Sequence, residues 1–182
     1  PTTRMTYDGL GRVIDAAVTD GRSQSFTSTG PNLANDGVLE RTQTQFDSAR
    51  GLPYLITRSY RRHDVADSFN GIGVSPVQTF AAIVYDDAAR VIASVDYGTA
   101  LAGPEADAFS AGGTAPISAP LSAVPVRTAT TRITETEYDA IGRPHVSIDE
   151  LERRTQTVFD DLNRPIAIIE NATGALGLAW DA

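Results

Sequence analysis

The phrase Tyr138-Asp139-Ala140-Ile141-Gly142-Arg143 decides the fold of this chain, because variants of it recur along the sequence. Repetition at a coarse period is the signature of an array of equivalent supersecondary units. Such an array indicates a scaffold or an extended surface before it indicates a single catalytic pocket. The other four copies are Tyr7-Asp8-Gly9-Leu10-Gly11-Arg12, Phe46-Asp47-Ser48-Ala49-Arg50-Gly51, Tyr85-Asp86-Asp87-Ala88-Ala89-Arg90 and Phe159-Asp160-Asp161-Leu162-Asn163-Arg164.

Each copy of the phrase predicts the tip of a β-hairpin. Asp139 suits the first position of a type I turn, since its carboxylate can accept backbone N–H bonds two residues further on. Gly142 supplies the positive φ of a turn that closes with a bulge. Tyr138 then ends one strand and Arg143 begins the next.

Three copies depart from the phrase in ways that turn chemistry explains. Asn163 replaces the glycine and still tolerates the left-handed region. Ala89 at the same position is expected to be strained. Arg50 and Gly51 are transposed, which predicts a turn shifted by one residue.

The segments around these turns have the pattern of β-strands. Thr134, Thr136 and Tyr138 share one face, while Glu135 and Glu137 take the other. Period-two alternation rich in threonine and aromatic residues is typical of strands. The pattern predicts antiparallel strands and very little helix, with strands near residues 3–7, 12–18, 41–46, 53–59, 80–85, 91–96, 132–138, 144–148, 154–159 and 165–170.

The spacing of the copies predicts where the long connections lie. Tyr138 and Phe159 are 21 residues apart, enough for two strands and two turns, with the second turn at residues 149–153. The other intervals are longer by 18, 18 and 32 residues. Since the aromatic-Asp turns have nearly uniform length, the extra residues belong to the opposite turns, which share one edge in a meander.

The whole chain is therefore expected to be one all-β module over residues 1–182. Its predicted fold is an antiparallel meander of repeated β-hairpins with long loops on one edge. The insertions are expected at about residues 20–39, 60–79 and 97–131.

The repeated phrase, followed by Val-Ile and set on a basic interval of 21 residues, resembles the YD repeats of the Rhs family. That family includes bacterial Rhs and wall-associated polymorphic toxins, the shell components of insecticidal toxin complexes, and animal teneurins. Residues 138–174 resemble the repeats most closely. The resemblance implies strands that wind into a large hollow β-shell, which in the toxins encloses a cargo polypeptide.

The chain departs from the family in length and in its missing segments. It is far too short to close a shell, and nothing in it matches the core segment, the self-cleavage aspartates or a C-terminal toxin. We therefore expect a piece of a shell wall from a larger secreted or cell-surface bacterial protein, and the start at Pro1 fits a fragment. The implied partners are flanking repeats of the same polypeptide, with an enclosed cargo domain or a glycan or protein ligand as further options.

Composition argues against several other classes of protein. The net charge of −8 disfavours nucleic acid and anionic membranes as partners. No segment approaches the roughly 18–20 apolar residues that span a bilayer, so we expect no membrane insertion. The absence of cysteine excludes disulfides and thiolate chemistry.

Catalytic and cofactor sites are not predicted. His63 and His145, the two histidines, have no second histidine or cysteine at metal-ligand spacing. No Gly-x-Ser-x-Gly elbow or phosphate-binding glycine loop occurs. Repeated Asp and Arg residues point to structure, because an enzyme needs only one site. We expect no enzyme activity, no cofactor and no metal.

Two insertions have distinctive compositions. Residues 98–131 are rich in Ala, Gly, Pro and Ser, which indicates a mobile loop or a loosely packed arm. The insertion after residue 59 carries a set of side chains suited to recognition, although a solvated hairpin extension is the favoured interpretation, since loops are polar by default. The candidate partner-binding residues are Tyr60, Arg61, Arg62, His63, Asp64, Phe69 and Asn70.

The sequence thus favours a structural repeat module that forms part of a β-shell wall. The alternative is a carbohydrate- or protein-binding module that uses the edge bearing the loops. The turn residues assigned to the structural role are Tyr7, Asp8, Gly11, Arg12, Phe46, Asp47, Gly51, Tyr85, Asp86, Arg90, Tyr138, Asp139, Gly142, Arg143, Phe159, Asp160, Asn163 and Arg164.

Overall fold

The structure of the chain, a computed structural model, describes residues 1–19, 26–27, 30–31, 38–60, 77–99 and 116–171. Within these ranges the protein is all-β, without helices. The strands are β1 Thr2–Tyr7, β2 Val13–Thr19, β3 Phe26–Thr27, β4 Gly30–Pro31, β5 Val38–Phe46, β6 Pro53–Tyr60, β7 Val77–Tyr85, β8 Val91–Thr99, β9 Arg132–Tyr138, β10 Pro144–Ile148, β11 Arg154–Phe159 and β12 Pro165–Glu170.

Ten of the strands form one antiparallel meander. Its order is β1-β2-β5-β6-β7-β8-β9-β10-β11-β12, and the short β3 and β4 pair only with each other. The predicted fold class is therefore confirmed. Successive turns of an antiparallel meander alternate between the two ends of the strands. All five aromatic-Asp turns consequently lie at one end, which we call the tip end, and the three long connections leave from the other, the loop end.

Several strands extend further toward the loop end than the sequence predicts. β5 begins at Val38, β7 begins at Val77, and β8 continues to Thr99. Val38 is fully buried and pairs with Thr19, which is also fully buried. Burial of these side chains therefore stabilises strand pairing beyond the segments whose sequence alternates clearly between polar and apolar residues.

The apolar core lies on one face of the four central strands. Leu55 pairs with Ala82, Ala82 with Val95, and Val95 with Ile133, and all four side chains are fully buried. Cross-strand neighbours of this kind are the unit of sheet stabilisation. The core therefore spans β6 to β9, and the partly buried side chains that pack against it include Ile117, Leu121 and Val124.

Residues 116–127 form a strap across this core face. The sequence suggests a mobile loop or a loosely packed arm for residues 98–131; in the described part, Ile117, Leu121 and Val124 pack against the core, while Val126 is 84% exposed. Arg127 anchors the strap: its guanidinium donates to the Ile133 carbonyl, to the Asp149 carbonyl at 3.0 Å and to Glu135 Oε1 at 2.6 Å. The scarce apolar residues of the segment supply its contacts with the core.

Every aromatic-Asp hairpin carries a β-bulge directly inside its tip. The registers shift between Thr6 and Tyr7, Gln45 and Phe46, Val84 and Tyr85, Pro144 and Val146, and Val158 and Phe159. A bulge bends its strand and increases the local twist. The five tips therefore share the same local irregularity of strand pairing. Across the described ranges, no helix is long and apolar enough to cross a membrane.

Candidate functional site

The repeated turn is organised by its aspartate. The Asp139 amide donates to the Arg143 carbonyl and the Asp139 carbonyl accepts from the Gly142 amide, each at 2.9 Å. Asp139 Oδ1 also accepts the amides of Ile141 at 3.1 Å and Arg143 at 2.9 Å, while Oδ2 accepts Arg143 Nε at 2.6 Å. One carboxylate thus closes the turn and fixes the guanidinium.

The same arrangement occurs at the other regular tips. The arginine Nε lies 2.7 Å from the aspartate Oδ2 in the pairs Asp8–Arg12, Asp86–Arg90 and Asp160–Arg164. A further copy, Asp149–Arg153 at 2.6 Å, closes the β10–β11 turn at the loop end, where the sequence predicts a turn. Charge-assisted bonds of this type are shorter and stronger than neutral ones.

The second tip differs because Arg50 and Gly51 are transposed. Its turn is one residue longer, since the Asp47 amide donates to the Leu52 carbonyl at 2.8 Å. Gly51 carries the positive φ of +70°. Arg50 does not pair with its own aspartate and instead donates to the backbone carbonyl of Asp86 in the next tip.

At three of the four joints between successive tips, an arginine stacks on the next aromatic ring. The guanidinium carbon of Arg12 lies 4.1 Å from the centroid of Phe46, that of Arg90 4.4 Å from Tyr138, and that of Arg143 4.6 Å from Phe159. These distances are within the range of cation–π attraction. Asp therefore holds Arg in the turn, and Arg holds the ring of the following hairpin.

Hydrogen bonds reinforce these arginine–aromatic joints. Arg12 Nη1 donates to the Gly51 carbonyl at 2.8 Å, and Arg143 Nη1 donates to Asn163 Oδ1 at 2.6 Å. In both cases the acceptor belongs to the positive-φ residue of the next turn. At the third such joint, a Cβ placed on Gly142 would lie 3.1 Å from Arg90 Nη1, so this glycine also admits the neighbouring guanidinium.

The tyrosine hydroxyls supply a second contact between neighbouring hairpins. Tyr85 donates to the Pro53 carbonyl and Tyr138 donates to the Val91 carbonyl, each at 3.0 Å. Pro53 and Val91 are the first residues of β6 and β8, the strands that leave the preceding tips. Burial raises the pKa of the Tyr85 hydroxyl, which keeps it protonated as a donor.

The turn carboxylates are electrostatically stabilised as anions. The backbone bond from the arginine amide is the largest cause that lowers the pKa of Asp8, Asp86 and Asp160 below the ordinary value of 3.8. The Arg153 side chain is the leading cause at Asp149. At Asp139 desolvation raises the pKa, but the bonds from Arg143 together outweigh it and the pKa is lowered.

Two similar depressions lie between neighbouring tips. One, of about 470 Å³, is lined by residues that include Asp8, Arg12 and Phe46, and the other, of about 190 Å³, by Asp139, Arg143 and His145 among others. The equivalent positions line both, which indicates that the depressions arise from the repeat itself. Among the described residues, no group of His, Asp and Glu is arranged to hold a metal ion.

The candidate partner-binding loop begins at the end of β6. Tyr60 is its described member, with 42% of its surface exposed, whereas residues 61–76 lie outside the described residues. Arg61, Arg62, His63, Asp64, Phe69 and Asn70 are therefore not placed.

Near the loop end of the sheet, a depression of about 270 Å³ is lined by side chains that include Arg58 and Asp96.

Sequence reasoning missed the two features that tie separate hairpins together. The arginine–aromatic joints connect residues that are distant along the chain, such as Arg90 and Tyr138. Arg127 is one of the few charged residues in its segment, but the sequence does not indicate that it anchors the strap. The recurrence of arginine at the last position of four of the five phrases was a signal for the first feature, although it names no partner.

No protein-family model and no curated protein matches this chain.

Proposed function

We propose that the chain is a structural repeat module of a larger secreted or surface protein of the Rhs type, in which it forms part of a β-shell wall. The arginine–aromatic joint carries this proposal. The repeated residues serve to close turns and to hold each hairpin against the next, which is the task of a wall. The proposal assigns no catalytic step to any residue.

The supporting geometry is uniform along the sheet. Four of the five aromatic-Asp tips have the same Asp–Arg closure, and three joints have the same stacking. Such an array can be extended by further copies without a new kind of contact, because each hairpin touches only its neighbours. The resemblance to YD repeats supplies the expectation of a hollow shell around a cargo.

Electron cryo-microscopy of the full polypeptide encoded by the reading frame that contains this sequence tests the proposal. We expect residues 1–171 to form part of a continuous curved wall, flanked by further strands on both sides. A parent protein in which this segment forms a separate domain with both outer strands exposed would contradict the proposal.

A functional test uses the joints themselves. Arg90→Ala combined with Arg143→Ala should make the wall leaky, so that a protease digests the parent protein's enclosed segments faster. Arg153→Ala is the matched control, because it removes the same turn contact without disturbing an arginine–aromatic joint. Equal digestion of the two variants would count against a wall function.

The alternative, a glycan- or protein-binding module, is favoured by one observation. Three long connections leave the same end of the sheet, close to the depression beside Arg58 and Asp96. Binding to a glycan array should then be lost when Arg61, Arg62 and His63 are changed together to Ala, with unchanged melting. A variant that binds as the natural chain does would remove the main candidate for this alternative.

A further inference from the structure

The last hairpin of the sheet presents one half of an arginine–aromatic joint. Arg164 makes the full set of turn contacts with Asp160. No ring of the described residues lies over its guanidinium, and its side chain is 70% exposed, compared with 29% for Arg12 and Arg143. The carbonyl of Pro165 holds the position that accepts a tyrosine hydroxyl at Pro53 and Val91.

The first hairpin presents the other half. Tyr7 occupies the position of Tyr85 and Tyr138, yet no arginine of the described residues stacks on its ring, and it is 56% exposed. Among the described residues, the acceptor of its hydroxyl is the weak Met5 Sδ, at 3.5 Å. Within the described residues, the ring and the hydroxyl of Tyr7 therefore lack the partners that Tyr138 has, and they lie at the opposite edge of the sheet from Arg164 and Pro165.

The internal registers show how these halves would fit. In three strand pairs, the register continued to the tip places the aromatic residue opposite the arginine of the preceding turn. These pairs are β2–β5, β8–β9 and β10–β11. The same register between β12 and the β1 strand of another copy sets Tyr7 opposite Arg164 and Thr3 opposite Ile168. Ile166 and Ile168, which are 62% and 69% exposed, would then be covered.

We propose that the outer edge of β12 binds the outer edge of β1 from a second copy of this chain, in antiparallel register. Tyr7 of the second copy stacks on Arg164, and its hydroxyl donates to the Pro165 carbonyl. The contact joins two different surfaces, so it repeats from copy to copy and builds an open chain of modules. It goes beyond the wall proposal, because it concerns the chain without the flanking strands that would cover the same two edges in a parent polypeptide.

Complementation between two half-blocked variants tests this proposal. The first variant, Arg164→Glu with Ile168→Lys, blocks the β12 edge, and the second, Tyr7→Glu with Thr3→Lys, blocks the β1 edge. Analytical ultracentrifugation at about 0.15 M salt screens the repulsion between copies of charge −8. We expect the natural chain to form concentration-dependent oligomers, each variant alone to stay monomeric, and the equimolar mixture to stop at a heterodimer.

Several outcomes overturn the proposal. A variant that dimerises alone indicates pairing of like edges, and a mixture that stays monomeric shows that the two edges do not fit. A natural chain that remains monomeric up to about 0.5 mM has the same consequence. None of these results bears on the wall proposal, which is tested in the parent polypeptide.

Two control variants keep folding separate from association. Arg153→Glu with Leu151→Lys removes an equivalent turn contact and an equally exposed apolar side chain at the loop end, and should leave association unchanged. Tyr7→Phe keeps the ring and removes only the hydroxyl, so it is expected to fold and to weaken association about two- to tenfold, the worth of one net hydrogen bond. Unchanged association in Tyr7→Phe would contradict the bond to Pro165, even if the half-blocked variants fail to fold.

Discussion

Backbone conformation at the turns varies in cost from residue to residue. Among the described residues that are not glycine, Ala89, Glu152, Asn163 and Asn171 hold φ between +53° and +63°. Asparagine enters this region more easily than alanine, because its short polar side chain can hydrogen-bond locally and so offset the Cβ contact that both residues make. Ala89 and Asn163 occupy the same position in two tips, so they offer a controlled comparison of strain.

Ala89→Gly is expected to stabilise the protein by up to about 1 kcal/mol, because glycine adopts positive φ without strain. The gain is limited by the greater freedom of glycine in the unfolded chain. Asn163→Gly should give no gain, since it also removes the acceptor of the 2.6 Å bond from Arg143. Urea unfolding of both variants tests this difference, and equal effects would contradict it.

The sequence predicts contacts within a turn and fails for contacts between turns. The bond between Asp139 and Arg143 lies within one turn. Turn chemistry alone predicts it, without knowledge of which strands pair. Arg90 reaches Tyr138 only because β8 pairs with β9 across a long connection. The register that creates this contact depends on packing over the whole sheet.

At the level of strands and turns, each arginine–aromatic joint couples the tips of two hairpins that are also joined by strand pairing and by other side-chain contacts. The arginine is held in its own turn by the aspartate, so little side-chain freedom remains to be lost when the ring packs on it. Arg143 and Arg164 make the same contacts within their turns, but only Arg143 lies over a ring. Their comparison isolates the joint.

Arg143→Ala is expected to lower the free energy of unfolding by about 1–2 kcal/mol more than Arg164→Ala does. The difference contains one cation–π contact with Phe159 and the hydrogen bond to Asn163. Chemical denaturation of both variants measures it at a protein concentration low enough to exclude association. A double-mutant cycle with Phe159→Leu provides the control, and additive effects in that cycle would show that the stacking contributes nothing.

The strap shows why composition misleads for a segment of few charges. A stretch rich in Ala, Pro and Ser lacks the apolar content to fold alone. The central sheet face supplies the missing partner, since Leu55, Val95 and Ile133 need cover from outside the sheet. Residues 116–127 provide that cover. Their own sequence does not indicate that an apolar sheet face needs covering.

Across the whole molecule, the five hairpins were predictable because each contains the same short turn motif, an aromatic residue followed by aspartate. The positions of all ten strands of the meander follow from one phrase, its spacing and period-two alternation. The location of the core was less predictable, because its largest cluster lies where β6 to β9 meet beneath the strap, while Ala17, Val38 and Val146 are buried outside that cluster. Toward both sides the same face also carries polar pairs, with Arg41 bound to Asp15 and Arg154 to Glu137.

The turn carboxylates together predict an acid-sensitive fold. Folding lowers the pKa of Asp8, Asp86, Asp139, Asp149 and Asp160 below the ordinary 3.8. Below about pH 5 the unfolded chain therefore binds more protons than the folded chain does, so stability is full above this range and falls as the pH decreases. Urea midpoints between pH 7 and pH 3 should decline most steeply below pH 4.

Asp86→Asn should lower the midpoint at pH 7 and flatten the decline, whereas Asp87→Asn, on an exposed neighbour without these turn bonds, should leave both unchanged. A pH profile that is the same in both variants would show that the turn carboxylates do not hold the fold together.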